Sequence, residues 1–87
     1  MSLMCGIFKI GYYHENEQIL VKKVFAKTLR GALSKVSREL RAAPFKLDVT
    51  YTAIHSVEHP DSAYRRFYEN GEPISPWITF DEAIDDV

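Results

Sequence analysis

The spacing of apolar and polar side chains changes period along this chain, and each change marks an expected element boundary. Residues 6–13 (GIFKIGYY) are aromatic and β-branched, and residues 18–26 (QILVKKVFA) read the same way. The polar stretch His14-Glu15-Asn16-Glu17 lies between them, which predicts an antiparallel hairpin. On the first strand Phe8, Ile10 and Tyr12 share a face. On the second, Ile19, Val21 and Phe25 share one, interrupted by Lys23.

The period then lengthens. Leu29, Leu33, Val36 and Leu40, flanked by Ala32 and Ala43, fall on one stripe at 100° per residue, which predicts an amphipathic helix over 28–43. Thr28 is placed to cap it, and Pro44 ends it by forcing its predecessor out of the helical region.

Alternation returns over 46–57. Leu47, Val49, Tyr51, Ala53 and Val57 are expected on one face, with Asp48, Thr50, Thr52 and Ser56 on the other. His59-Pro60-Asp61-Ser62 reads as a turn, and residues 63–69 as a returning strand closed by Asn70-Gly71. Residues 72–77 carry two prolines and are expected to run extended, held to the body by Ile74 and Trp77. Thr79-Phe80-Asp81-Glu82 matches a capping box and predicts a short C-terminal helix. The expected fold is α+β in the order ββα-ββα. A four-stranded, mainly antiparallel sheet would carry the long helix on one face, with the other face exposing tyrosines and Ile54.

The 87 residues suffice for one domain, expected over 4–87, with Met1-Ser2-Leu3 read as a leader added ahead of a native start at Met4. An apolar fraction of 46% with 26% charged residues is that of a globular chain, and no apolar run is long enough to cross a bilayer. Cys5 is the single cysteine, so no disulfide can form within the chain; a cytoplasmic location without membrane association is expected.

Charge adds an asymmetry that the net value of -1 hides. Residues 1–46 carry nine Lys/Arg against three Asp/Glu, whereas residues 47–87 carry two against nine. Much of the positive excess lies on the helix. Lys27, Arg30, Arg38 and Arg41 fall within about 80° of one another, opposite the leucine stripe, with Lys35 some 60° further round. Such a face can neutralise phosphates. A second candidate is the stripe Tyr64, Arg66 and Tyr68, which alternation places on one side of a strand, where it could stack bases or anchor a protein partner.

Catalytic chemistry is not expected. Met4-Cys5-Gly6-Ile7-Phe8 resembles the start of the N-terminal-nucleophile glutamine amidotransferases, in which loss of Met would expose a catalytic cysteine bearing its own α-amino base. The resemblance ends after those five residues, and the chain lacks the length and further motifs such a domain requires. His55 and His59 sit about 13 Å apart along an extended strand, too far for one ion, so neither metal nor cofactor is expected. The reading is a non-enzymatic interaction or regulatory module acting through protein contacts as a homodimer. The alternative is nucleic-acid binding through the basic helix face or the Tyr64/Arg66/Tyr68 stripe.

Overall fold

A computed structural model describes residues 6–58 and 63–79. Its elements are β1 (Gly6–His14), β2 (Glu17–Ala26), α1 (Leu29–Ala42), a 3-10 turn (Lys46–Asp48), β3 (Tyr51–Ser56), β4 (Ala63–Glu69), β5 (Glu72–Pro73) and β6 (Ile78–Thr79). The chain is α+β, with one helix and an antiparallel sheet among the described residues. The sheet has six strands rather than four, because the proline-containing tail adds two short ones.

The strand order is β2-β1-β3-β4-β5, with β6 also paired to β4. The outer edge of β4 is occupied along its length. Thr79 and Ile78 pair with Tyr64 and Arg65, Pro73 and Glu72 pair with Tyr68 and Glu69, and the Ile74 amide donates to the Phe67 carbonyl between them. The expected C-terminal helix from Phe80 onward lies outside the described residues. Its proposed cap, Thr79, is a strand residue.

The helix follows the sequence closely. Thr28 is the cap, in extended conformation, and its hydroxyl accepts from the Gly31 amide at 3.0 Å. Ala32, Val36 and Leu40 are fully covered and pack on Phe8, Ile10, Tyr12 and Ile54. Burying such side chains contributes roughly 1.5–3 kcal/mol for each large one, so this packing is the main source of stability.

Which face of each strand meets the helix follows from register. Phe8 lies opposite Val24 and Ser56, Ile10 opposite Lys22 and Ile54, and Tyr12 opposite Leu20 and Thr52. On β1 the expected inner face is the observed one. On β2 it is reversed: Val24 and Ala26 face the helix, while Val21, Lys23 and Phe25 face away. An extra residue, Ile19, interrupts the pairing where the register shifts between Tyr12 and Tyr13.

β3 is also reversed, and it starts later than expected, because residues 46–48 form the 3-10 turn and leave Leu47 66% exposed. Thr52, Ile54 and Ser56 are the buried side. Ile54, expected on the uncovered face, is 0% exposed. The cause is packing. Ile54 completes the apolar face opposite the buried Ile10, Thr52 and Ser56 fit beside the large Tyr12 and Phe8 rings, and Tyr51 finds ring partners on the other face. In the tail Trp77 packs against the core as expected, whereas Ile74 is 61% exposed.

The β1–β2 and β4–β5 turns both use left-handed residues. Glu15 has φ 56°, and Asn70 and Gly71 have φ 55° and 83°. Two successive positive values are those of a type I′ turn, for which Asn-Gly is the preferred pair.

Candidate interaction surfaces

The face of the sheet turned away from α1 is covered by no described element, and register arranges its side chains in rows across the strands. Phe25, Ile7 and Val57 form the first, since Ile7 is paired with Phe25 and its carbonyl accepts from the Val57 amide. All three are exposed, at 58%, 45% and 45%. Lys23, Lys9 and His55 form the second, followed by a low row of Val21, Gly11, Ala53 and Arg65. Tyr13, Tyr51 and Phe67 make the fourth.

The fourth row is a packed aromatic ridge. The Tyr13 and Tyr51 rings stack with centroids 4.7 Å apart, and Phe67 tilts against Tyr51 at 5.7 Å. The Arg65 guanidinium lies over both, 5.1 Å from the Phe67 centroid and 5.7 Å from that of Tyr51. Burial and the neighbouring Tyr13 push the Tyr51 hydroxyl pKa up, with Arg65 opposing them. The low row beside the ridge opens into a trough of about 170 Å³, with Gly11, Val21 and Ala53 in its lining, Tyr13 to one side, and Lys9 and His55 to the other. A Cβ on Gly11 would lie 2.7 Å from the Tyr13 ring, so glycine lets that ring fold down over the strand. Burial, and then Lys9, hold the His55 pKa below its usual value.

Tyr64, Arg66 and Tyr68 do share one face, but it is the inner one. Tyr68 is buried in the core, Tyr64 packs against that core, and Arg66 lies beside Thr52. Arg66 donates through Nε to the Ser75 carbonyl at 2.9 Å and stands 5.5 Å from the centroid of the Trp77 ring. The stripe therefore does not form an open stacking platform. The aromatic ridge lies on the opposite face, one residue out of phase.

The basic helix face is outward. Arg30, Arg38 and Arg41 are exposed, Lys35 is half-buried, and Lys27 is exposed just before the cap. Glu39 pairs with Lys22 of β2 at 2.7 Å, so the acid on this helix is already engaged by the strand beneath. Arg41 stands apart from the others, lining a cavity of about 160 Å³ at the helix C-terminus together with Lys46 and Arg66.

No group of three His, Cys, Asp or Glu residues suited to a metal ion occurs among the described residues. Cys5 and His59 lie outside them. Among the described residues no helix is long and apolar enough to cross a membrane. The sequence reading missed Tyr13, Tyr51, Phe67 and Arg65 as a group. The available signal was β1, where Ile7, Lys9, Gly11 and Tyr13 alternate with the core residues and leave apolar side chains on both faces. No protein-family model matches this chain, and neither does any curated protein or solved structure.

Proposed function

We propose that the protein is a non-enzymatic interaction module that works through the sheet face away from α1 and pairs there with a second copy of itself. The observation that carries this reading is the exposed row Phe25, Ile7 and Val57 on a face already bearing an aromatic ridge. One helix suffices to cover one side of such a sheet, and contiguous apolar side chains on the other are the usual mark of a contact surface. In a two-fold pair the same rows serve both partners. Light scattering over a range of protein concentration tests it. The expected mass is that of two chains, falling to one when Phe25→Ser and Ile7→Ser are combined. A single-chain mass for the unaltered protein at every concentration would overturn the reading.

A second reading has its own observation. Lys23 and Lys9 are directly opposed across β1 and β2, an arrangement that costs stability, and Lys9 lines a trough walled by Tyr13. Unbalanced cations next to an aromatic wall suit a single-stranded nucleic acid, with phosphates at the lysines and bases against the ridge. Gel-shift titration at low and moderate salt separates the two readings. Retardation abolished by Lys9→Glu and Lys23→Glu favours nucleic acid at this face, abolition by Arg30→Glu and Arg38→Glu favours the helix, and no shift at low salt excludes both.

A further inference from the structure

We propose that the cavity between the C-terminal end of α1 and the β4–β5 turn is a binding site for a phosphate-type oxyanion. Three cationic side chains from three separate elements line it: Arg41 from α1, Lys46 from the 3-10 turn and Arg66 from β4. Among the described residues no carboxylate bridges any of them, although Glu72 lies in the same lining. Like charges gathered around one small space raise each other's energy, and a bound anion removes that cost.

Two of the three are held in place. Arg66 is fixed by its bond to the Ser75 carbonyl and by Trp77, and among the described residues no further hydrogen bond engages its guanidinium. The Lys46 ammonium donates to the Arg41 carbonyl at 3.4 Å. The same bond offsets the field of the helix end. The C-terminal end of a helix carries partial negative charge and repels anions, and here Lys46 compensates it. The stem of Lys46 rests against the turn, since a Cβ on Gly71 would lie 3.8 Å from its Cγ and Cδ.

The chemistry of the lining selects the ligand class. Arginine forks match the paired oxygens of phosphate, lysine adds a point charge, and Ser37 and Asn70 supply neutral donors. A cavity of about 160 Å³ admits a phosphoryl group. The ligand is therefore inorganic phosphate or the phosphate end of a larger molecule.

The test is an amide NMR titration of the full chain with inorganic phosphate and, separately, glycerol 3-phosphate, at ionic strength held constant with sodium chloride. Saturable shifts at Ser37, Lys46, Asn70 and Gly71 are expected, with affinity weakened at least about ten-fold in the double variant Arg41→Gln, Lys46→Gln. Both substitutions leave the core untouched, and an unchanged amide spectrum before titration establishes that the variant is folded. Tighter binding of the ester supports the site as a seat for a phosphorylated molecule, and equal binding supports it as a site for free phosphate. Shifts that never saturate, that centre on Arg30 and Arg38, or that survive the double substitution would overturn the proposal.

Discussion

Tyr13 and Tyr51, on adjacent strands, hold their rings within 8° of parallel with centroids 4.7 Å apart. The pair is directly opposed in the β1–β3 register, so strand geometry brings the rings together without distortion. Stacked aromatic pairs are worth about 0.5–1.5 kcal/mol beyond the area they bury. A double-mutant cycle with Tyr13→Leu and Tyr51→Leu, followed by urea unfolding, should return a coupling within that range. A coupling near zero would mean that the ridge is held by Phe67 and Arg65 instead.

The Tyr12 hydroxyl pKa is pushed up to about 12 by burial first, and then by the charge of Glu39 and the nearby Tyr68. Above pH 10 the unfolded chain releases this proton while the folded one keeps it. The resulting stabilisation is complete below about pH 10 and is lost as pH rises towards 12. Ultraviolet titration of tyrosine ionisation should show a late-ionising group that disappears in Tyr12→Phe. In Glu39→Gln the same group should ionise earlier. Removing the ion pair with Lys22 should cost no more than about 1 kcal/mol, because both side chains are 39% exposed.

The Asn70-Gly71 turn carries a local strain test. Gly71 has φ 83°, and a Cβ there would also sit 3.4 Å from Leu47 Cδ2. Gly71→Ala should destabilise by about 1–2 kcal/mol in thermal or urea unfolding, with Asn70→Gly close to neutral.

Lys23→Glu places an acid opposite Lys9 and turns a repulsive cross-strand pair into an attractive one. Stability should rise by a few tenths to about 1 kcal/mol, measured by urea unfolding at low salt. The gain should shrink as salt is added. A destabilised variant would show that Lys23 is already paired favourably in solution.

His55 provides the acid-side counterpart. Its pKa lies below the ordinary value because of burial and Lys9. As pH falls through the window between the usual histidine value and that lowered one, the unfolded chain takes up a proton that the folded chain refuses. Stability should drop across that window, remain lowered below it, and be unaffected above it. NMR titration of the His55 ring should show the lowered value, moving upward in Lys9→Gln.

Much of the architecture was legible because local rules and tertiary packing agreed. Thr28, the stripe from Leu29 to Leu40 and Pro44 each settle a helix boundary or face with little dependence on the rest of the chain. The Phe8/Ile10/Tyr12 face and the Asn70-Gly71 turn are of the same kind. The strand faces of β2 and β3 were not legible, because both sides of those strands carry apolar residues and periodicity cannot choose between them. Pairing with β1 put Thr52, Ile54 and Ser56 opposite Tyr12, Ile10 and Phe8, and a register shift at Ile19 placed Val24 inward. The candidate surfaces inherited that difficulty. Tyr64, Arg66 and Tyr68 share a face as expected, yet which face it is depends on the partner strand. The cluster joins Arg41 and Lys46, five residues apart, to Arg66 on a strand that returns from further along the chain, and no spacing announces that meeting.

The occupied outer edge of β4 bears on how copies of this molecule can join through their sheets. A long edge strand offers another chain a continuous row of amides and carbonyls, and on the β4 side that row is replaced by two-residue strands in a proline-bearing segment. Among the described residues β2 is the long edge strand, so it is the flank best suited to edge-to-edge pairing with a second copy. The segment from Glu72 to Thr79 thus leaves only short, interrupted strands at this side of the sheet, a poor template for a further chain. Pairing through sheet edges is therefore expected to favour a β2-to-β2 pair over continued strand addition.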